Sequence, residues 1–306
     1  MVNTTEQPIG SERIRLTGHR AAVFALARGR SERYLLSGGG EGWIVEWDLQ
    51  NPDPGRVIAQ AEGNIFALHH FTERQLLVAG TLTGGLHWID LADQARSRNI
   101  AHHRKGVFDF MVLGDSLLSV GGGGTLSRWS VAERRSTESL LLSHESLRCL
   151  AYSERRGELA VGSSDQNIYL LDAESLVLRQ TLVKAHANSV FSLAYSPDQR
   201  QLLSGGRDAQ LKVWNLEGEV TLVEHIPAHL YTINDICWQP AGAYFFTASR
   251  DKTIKVWEAG SYRLRKVLEG RRDGGHLNSV NRLRWQGDYL VSASDDRTLI
   301  LWEGQS

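Results

Sequence analysis

Cysteine is scarce in this 306-residue sequence, in which only Cys149 and Cys237 occur. Both lie inside short apolar runs, and two cysteines are too few for the disulfide framework on which small secreted domains rely. We therefore expect reduced thiols and a cytoplasmic protein. The first ten residues, MVNTTEQPIG, agree with this, because they have neither the basic start nor the apolar stretch of a secretory signal.

Net charge and long apolar runs are also lacking. The 34 Lys and Arg residues nearly balance the 35 Asp and Glu residues, so the formal charge at pH 7 is −1. A chain this close to neutrality has no global attraction for nucleic acid or anionic membranes, and we expect neither as a partner. No stretch approaches the roughly 20 apolar residues that a membrane-spanning helix requires.

What the sequence has instead is a repeated unit. Residues 186–216 read HANSVFSLAYSPDQRQLLSGGRDAQLKVWNL: a histidine, then three short alternating runs separated by turns, the last run ending in Trp214. The same order returns at 229–257 and at 276–302. Runs rich in Val, Ile, Leu and aromatics, separated by Gly, Asp and Ser, are typical of short strands and turns, and we find no helical periodicity.

Aligned on the end of the third run, the chain contains seven units. Their end residues recur at intervals of 41 to 45 residues: Trp47, Trp88, Trp129, Leu171, Trp214, Trp257 and Trp302. A period of about 40–45 residues with four short strands is typical of propeller blades. We therefore predict an all-β fold, a seven-bladed β-propeller of four-stranded antiparallel blades, over residues 12–304, after a flexible tail at 1–11. The predicted blades are about 18–61, 62–102, 103–142, 143–185, 186–228, 229–275, and 276–304 with 12–17.

The two chain ends are predicted to share the last blade. The seventh unit ends after its third strand, and residues 12–17, ERIRLT, form a surplus strand before the first unit. Closing the ring removes exposed sheet edges, and the missing outer strand can come from the amino terminus.

Four positions in each of the last three units closely resemble the WD40-repeat family. A histidine precedes the first strand, Ser or Thr ends the second, Asp stands in the next turn, and Trp ends the third. The matching sets are His186, Ser204, Asp208 and Trp214; His229, Thr247, Asp251 and Trp257; and His276, Ser292, Asp296 and Trp302. A buried indole N–H needs an acceptor, which the hydroxyl can supply, and Asp can orient the histidine. The resemblance, over about residues 12–302, implies a structural role for these groups.

The four earlier units depart from this pattern. Unit one has Glu41 in place of Asp, unit two keeps only Trp88, unit three has Gly123 in place of Asp, and unit four keeps Asp165 with His144 shifted by one residue. We expect these blades to rest on apolar packing alone, and the amino-terminal half of the ring to be the less stable half.

We predict no catalytic residues, no metal and no cofactor. Ser, His and Asp also form hydrolase triads, but a nucleophile would occur once, whereas these sets repeat in register. Neighbouring histidines such as His69–His70 and His102–His103 point to opposite faces of a strand and chelate metal poorly. Gly121–Gly124 lacks the Lys-Ser/Thr and the helix of a phosphate-binding loop.

The candidate partner-binding site follows from the resemblance. In WD40 proteins the start of each innermost strand lines the mouth of the central channel. The fifth position after the histidine holds Phe24, Phe66, Phe108, Arg148, Phe191, Asn234 and Asn281. Aromatics beside arginine are typical of interface hot spots. We predict a partner-binding site of Phe24, Phe66, Phe108, Arg148, Phe191, Arg207, Tyr231 and Arg250; alternatively, the Phe rings only pack between blades.

A propeller by itself defines architecture rather than function. The first hypothesis is a non-catalytic scaffold, monomeric by default, that binds a protein or peptide on this face. The alternatives are an enzyme with a channel site, for which Asp109 and Asp235 are the inward carboxylates, and a nucleic-acid-binding propeller. The basic stretch 263–272, RLRKVLEGRR, is a second candidate surface for an acidic partner, although it also fits a solvated outer strand.

Overall fold

The computed structural model describes residues 13–52 and 54–304. Within them, 28 strands form seven four-stranded antiparallel sheets, with two 3-10 helices (Thr72–Arg74 and Gln94–Arg96) and one α-helical turn, α1 (Gly270–Asp273). The sheets are the blades of a ring, so the predicted seven-bladed all-β propeller is confirmed. The predicted tail at 1–11, together with Glu12, lies outside the described residues.

The first strand, β1 (Arg13–Thr17), belongs to the last blade. Blade 1 contains β2 (Val23–Arg28), β3 (Tyr34–Gly39), β4 (Trp43–Asp48) and β5 (Arg56–Gln60). Blade 2 contains β6 (Ile65–Phe71), β7 (Leu76–Thr81), β8 (Gly85–Asp90) and β9 (Arg98–Ala101). Blade 3 contains β10 (Val107–Leu113), β11 (Ser116–Gly121), β12 (Thr125–Ser130) and β13 (Arg135–Leu141).

The remaining four blades continue the same order. Blade 4 contains β14 (Leu147–Ser153), β15 (Glu158–Ser163), β16 (Ile168–Asp172) and β17 (Leu178–Leu182). Blade 5 contains β18 (Val190–Tyr195), β19 (Gln201–Gly206), β20 (Gln210–Asn215) and β21 (Thr221–Pro227). Blade 6 contains β22 (Ile233–Trp238), β23 (Tyr244–Ser249), β24 (Ile254–Glu258) and β25 (Leu264–Leu268). Blade 7 contains β26 (Val280–Gln286), β27 (Tyr289–Ser294), β28 (Thr298–Glu303) and β1.

Burial follows strand order within a blade. The first strands of neighbouring blades pack against one another around a central channel, and the fourth strands lie at the periphery. In blade 2, all six residues of β7 (LLVAGT) are buried, whereas no residue of β9 (RNIA) is. A strand covered on both faces reads as a continuous apolar run, which is why the second strands carry the strongest sequence signal.

The core lies between blades rather than inside them. Seven apolar clusters each join the facing sheets of two neighbours. The cluster between blades 7 and 1 combines Leu16 and Leu299 with Leu35 and Trp47. This cluster joins the two ends of the chain and closes the ring.

The register of the shared blade confirms the predicted closure. Strand β1 pairs antiparallel with β28, so that Ile14 lies opposite Leu301 and Leu16 opposite Leu299. The described residues do contain one α-helical turn, α1, that no periodicity indicated. It is too short to show one, and it ends at Gly274, whose φ of 61° is left-handed. No helix among the described residues has the length and apolarity needed to cross a membrane.

Candidate functional site

A β-bulge interrupts the first strand of every blade at one equivalent residue. Pairing with the second strand passes directly from Val23 to Ala25 in blade 1, which leaves Phe24 unpaired, and the same skip recurs in the other six blades. A bulge bends its strand and re-aims the side chain of the extra residue. The skipped residues are Phe24, Phe66, Phe108, Arg148, Phe191, Asn234 and Asn281.

These seven half-buried side chains and Arg282 line a pocket of 190 Å³ at the channel mouth, which we call the channel pocket. Phe24 and Phe66 stack with their ring centroids 4.6 Å apart, and Phe66 meets Phe108 edge to face at 6.0 Å. The rings therefore pack against their neighbours in adjacent blades and at the same time form the pocket wall. The sequence left open whether the Phe rings line a binding site or pack between blades, and in the structure they do both.

Arg148 completes the aromatic wall. Its guanidinium carbon lies 4.4 Å from the ring centroid of Phe108 and 5.2 Å from that of Phe191, and its Nε donates to Ser164 Oγ at 2.8 Å. Burial, together with nearby Arg207, lowers the pKa of Arg148 from its ordinary value. The group is thus fixed in orientation, and it forms no ion pair with any described carboxylate.

The other predicted site residues lie outside the pocket on the same face of the ring. We call this the pocket face; it consists of the loops that enter each first strand and the turns between second and third strands. Arg207 and Arg250 are exposed in such turns, where their backbone N–H groups bond to Ser189 O and Thr232 O. Tyr231 is 60% exposed in the loop that enters β22. These three side chains surround the opening of the channel pocket without lining it, and we call them the rim.

Arg282 lies beneath the Phe rings and spans the channel. It comes from β26 in blade 7, and its Nη2 donates to Phe108 O in blade 3 at 3.0 Å. Its two terminal nitrogens each lie 4.0 Å from a carboxylate oxygen, one on Asp109 and one on Asp235. We call these three residues the channel triad.

The channel triad is largely out of water, with side chains 13% to 23% exposed. Burial raises the pKa of Asp109 and of Asp235, against the effect of Arg282. Burial also acts on Arg282, yet the two carboxylates leave its pKa above the ordinary value. Each carboxylate further accepts a backbone N–H from the next blade, Asp109 from Leu150 at 2.9 Å and Asp235 from Leu283 at 2.8 Å. The triad therefore ties blades 3, 4, 6 and 7 together below the pocket.

Sequence reasoning singled out Asp109 and Asp235 but missed Arg282. A signal was present, because β26 reads VNRLRWQ and places Arg282 and Arg284 two residues apart on a strand predicted to line the channel. The bulge itself has no local signature in the seven sequences, and only strand pairing reveals it. Among the described residues, no three His, Cys, Asp or Glu side chains converge in a way that could hold a metal ion.

The four-residue sets of blades 5, 6 and 7 form continuous hydrogen-bond chains. In blade 5, Trp214 Nε1 donates to Ser204 Oγ at 2.9 Å, and Ser204 Oγ lies 2.7 Å from His186 Nε2. His186 Nδ1 lies 3.0 Å from Asp208 Oδ1. Since a carboxylate only accepts, Nδ1 carries the proton and Nε2 accepts from the hydroxyl. The equivalent contacts are present in blades 6 and 7.

These sets also position the pocket face. In blade 6, Asp251 accepts the backbone N–H of Leu230 at 3.1 Å, and in blade 7 Asp296 accepts that of Leu277 at 3.0 Å. Burial opposes ionisation of both carboxyls, but hydrogen bonds from His229 and His276 hold their pKa values below the usual range. Leu230 and Leu277, 84% and 63% exposed, are thereby held out into solvent.

The expectation that the first four blades rest on apolar packing alone is wrong for blades 1, 3 and 4. In blade 3, Trp129 Nε1 donates to Ser119 Oγ at 2.8 Å. In blade 1, Glu41 replaces Asp and lies 2.6 Å from His19 Nδ1. In blade 4, Asp165 Oδ2 accepts from Ser143 Oγ and from Tyr169 OH, each at 2.6 Å. A longer acid in blade 1 and two hydroxyl donors in blade 4 replace contacts of the motif, which a fixed motif does not anticipate. In blade 1 the replacement is incomplete, because Glu41 Oε2 is buried without a partner.

Blades 2 and 3 keep unsatisfied groups where the motif is broken. Trp88 is fully buried and its Nε1 has no partner. Strand pairing shows that the predicted alignment of unit two is one residue off, because Ile89 takes the place of Trp47 and Ala79 that of Ser37. In blade 3, His103 Nε2 lies 2.9 Å from Ser119 Oγ, but His103 Nδ1 has no partner because Gly123 replaces Asp. An unpaired buried donor costs about 1–3 kcal/mol, so both blades carry a removable defect.

We expect Gly123→Asp to stabilise the protein by about 1–2 kcal/mol, because the new carboxylate would accept from His103 Nδ1. A Cβ at Gly123 would meet only Arg104, with its Cβ at 3.5 Å and its backbone nitrogen at 3.8 Å, which are ordinary contacts. The backbone N–H of Arg104 is a second donor, as Leu230 is to Asp251 in blade 6. Urea unfolding followed by tryptophan fluorescence measures the change.

Gly123→Ala is the matched control, because it adds the Cβ without the carboxylate. The pH dependence provides a second readout. Burial and His102 lower the pKa of His103 to about 4, so its contribution to stability is complete above about pH 6.5 and is lost as the pH falls toward 4. Gly123→Asp should raise the pKa of His103, so the free energy of unfolding should fall less steeply as the pH is lowered. Equal stability of the Asp and Ala variants at pH 7 would contradict the assignment.

Comparison with known families matches the carboxy-terminal part of the chain. The WD40 family model, described as WD domain, G-beta repeat, matches residues 177–215, 220–258 and 266–303. Each match starts at the outer strand of one blade and ends just after the Trp of the next, so it covers a blade whose four-residue set is complete. No curated protein matches the chain.

Proposed function

The chain belongs to the WD40-repeat family, and from that premise we propose that it is a non-catalytic interaction scaffold whose channel pocket and rim bind a protein or peptide partner. The observation that carries the proposal is the bulge repeated in all seven blades, which directs four Phe and one Arg to a single pocket. Recessed aromatics beside arginine, surrounded by exposed apolar groups, are typical of hot spots.

Exposed apolar side chains on the pocket face support the proposed binding site. Leu230, Tyr231 and Leu277 are 84%, 60% and 63% exposed on the loops of blades 6 and 7 that belong to the pocket face. The four-residue sets fix these loops, so little loop ordering would be needed on binding, and pre-organisation of this kind favours affinity.

A catalytic role for the inward carboxylates has less support. Asp109 and Asp235 each accept backbone N–H groups and face Arg282, so their oxygens are already engaged in holding blades together. As part of the same proposal we place the protein in the cytoplasm, since its two cysteines are free and burial raises the pKa of Cys237 to about 12. The distribution of a fluorescent fusion tests that location.

Affinity purification with matched variants tests the scaffold proposal. The site variant replaces Phe191, Arg207 and Arg250 by Ser. The control replaces Val223 and Arg265, which are exposed on outer strands, and Arg263, which is exposed directly before β25, by Ser. We expect wild type and the control to retain the same partners and the site variant to lose them, with affinity reduced about tenfold or more. Recovery of identical partners by all three proteins would overturn the site.

A further inference from the structure

Most exposed cations of the pocket face have no carboxylate partner; Arg272 of α1, which pairs with Asp273 at 3.2 Å, is an exception. Nine exposed Lys and Arg side chains on its loops and turns form no ion pair with any described residue: Arg20, Arg104, Lys105, Lys184, Arg207, Arg250, Lys252, Arg271 and Arg297. The exposed carboxylates of the same loops are Glu62, Glu145 and Asp295, and Asp295 is engaged by Asn281 Nδ2 at 2.7 Å. The pocket face is therefore basic in a chain whose formal charge is only −1.

Arginines in the described loops of the opposite face have carboxylate partners, with the exception of Arg263. There, loops pair Arg33 with Asp48, Arg74 with Asp115, Arg134 with Asp90, Arg155 with Glu217, and Arg179 with Asp172. Both faces carry arginine side chains, and they differ in whether a carboxylate lies beside most of them. An uncompensated field over one face steers and selects a partner of the opposite charge.

Arg148 extends this basic field into the channel pocket. Its Nε is used by Ser164 and its plane lies against two Phe rings, while its terminal nitrogens donate to no described group. A planar guanidinium fixed in this way can receive a carboxylate through two parallel N–H bonds with little further ordering. Phe24 and Phe66 form an apolar part of the pocket surface, whereas Asn234, Asn281 and Arg282 are polar.

Resting on the proposed function, we infer that the partner is an acidic peptide segment. An Asp or Glu side chain of the peptide pairs with Arg148 inside the pocket, and an adjacent apolar side chain contacts Phe24 and Phe66. Further carboxylates of the segment lie over the exposed cations of the pocket face, among them Arg207 and Arg250 of the rim. Attraction to the rim sets the encounter rate, and the fixed pair with Arg148 sets the dissociation rate.

A nucleic acid fits these observations less well. Single strands bind on rows of open aromatic faces, one base after another. Here Phe24 stacks on Phe66, and Phe108 meets Phe66 edge to face. Inside a pocket of 190 Å³ they offer a recess for one side chain rather than a platform.

Selection from a displayed library of random dodecapeptides tests the inference. The purified full-length protein serves as bait, and Arg148→Gln, Phe66→Ala and the outer-strand control Arg265→Gln are compared with wild type after each is checked for an unchanged unfolding midpoint. We expect the selected peptides to be enriched in Asp and Glu beside an apolar residue. Arg148→Gln should weaken them about tenfold, and added salt should weaken them further, while Arg265→Gln leaves affinity unchanged.

The outcomes separate this inference from the proposed function. Selected peptides that are neutral or basic, yet need Phe66, would overturn the acidic specificity and leave the scaffold proposal standing. Peptides that bind equally to wild type and to Phe66→Ala would remove the pocket as a docking site and with it both proposals. A random single-stranded oligonucleotide pool is assayed in parallel; if it binds through Arg148 while no peptide does, the partner is a nucleic acid and the inference is wrong.

Discussion

Replacement of Leu16 by Asp is expected to unfold the protein under conditions in which Ile14→Asp leaves it folded. Leu16 is 2% exposed and belongs to the cluster that joins blades 7 and 1, next to Leu299 and Trp47. Ile14, two residues away on the same strand, is 39% exposed. The two variants therefore place the same charge on β1 at two depths.

The expected loss at Leu16 is about 5 kcal/mol or more, because removal of a buried leucine and burial of an unpaired carboxylate add together. Domains of ordinary stability have about 5–15 kcal/mol in total, so a loss of this size opens the ring or unfolds it. The ladder between β1 and β28 and the bond from Arg15 Nη1 to Thr298 Oγ1 at 2.8 Å would be lost with it.

Urea unfolding and native-state amide hydrogen exchange measure this effect. Exchange should increase first in β28, whose outer edge β1 covers, and then in blade 1 across the shared cluster. Equal unfolding midpoints for the Leu16 and Ile14 variants would show that the amino-terminal strand is an accessory to the ring rather than the part that closes it.

Replacement of Arg282 by Met is expected to destabilise the protein by about 2–3 kcal/mol at pH 7, because it leaves two largely buried carboxylates without their cation. The bond to Phe108 O across the channel is lost as well. Met matches much of the length of Arg and avoids a large cavity, so the change reports mainly on charge.

The pH dependence of the Arg282 variant gives a signature that a packing defect would lack. Burial already raises the pKa values of Asp109 and Asp235, and loss of the cation raises them further above their unfolded values. Proton binding then favours the folded state, so the deficit of the variant should shrink as the pH falls through the folded pKa values. Adding Asp109→Asn and Asp235→Asn should recover part of the loss at pH 7. A deficit independent of pH would contradict this account of the channel triad.

The sequence was sufficient for the architecture because the signals that define it are local. The interval of 41 to 45 residues indicated seven blades. The missing fourth strand of the seventh unit and the surplus strand before the first unit indicated where the ring closes. The sets containing Trp214, Trp257 and Trp302 were readable because each supplies its own donors and acceptors within one blade. Where a blade uses other groups for the same purpose, as Ser143 and Tyr169 do around Asp165, the motif reading was wrong.

The channel pocket was only partly predictable. Register along the repeat brought Phe24, Phe66, Phe108, Arg148 and Phe191 into one ring of positions, but no sequence pattern states whether such rings are exposed. The exposure of each Phe ring depends on ring closure, because the neighbouring blade covers part of the ring. The contact between Arg282 and Phe108 joins residues 174 positions apart, a separation over which composition and spacing carry no information.

By itself the sequence determined that this chain repeats one four-stranded unit seven times and joins its ends in the last blade, because strand period, turn chemistry and hydrogen-bond partners are encoded within each unit. Only the tertiary structure decided which side chains share the channel mouth, which cations are left without a counterion, and what lies beneath the pocket. Those properties arise from residues of different blades that meet only when the ring is closed.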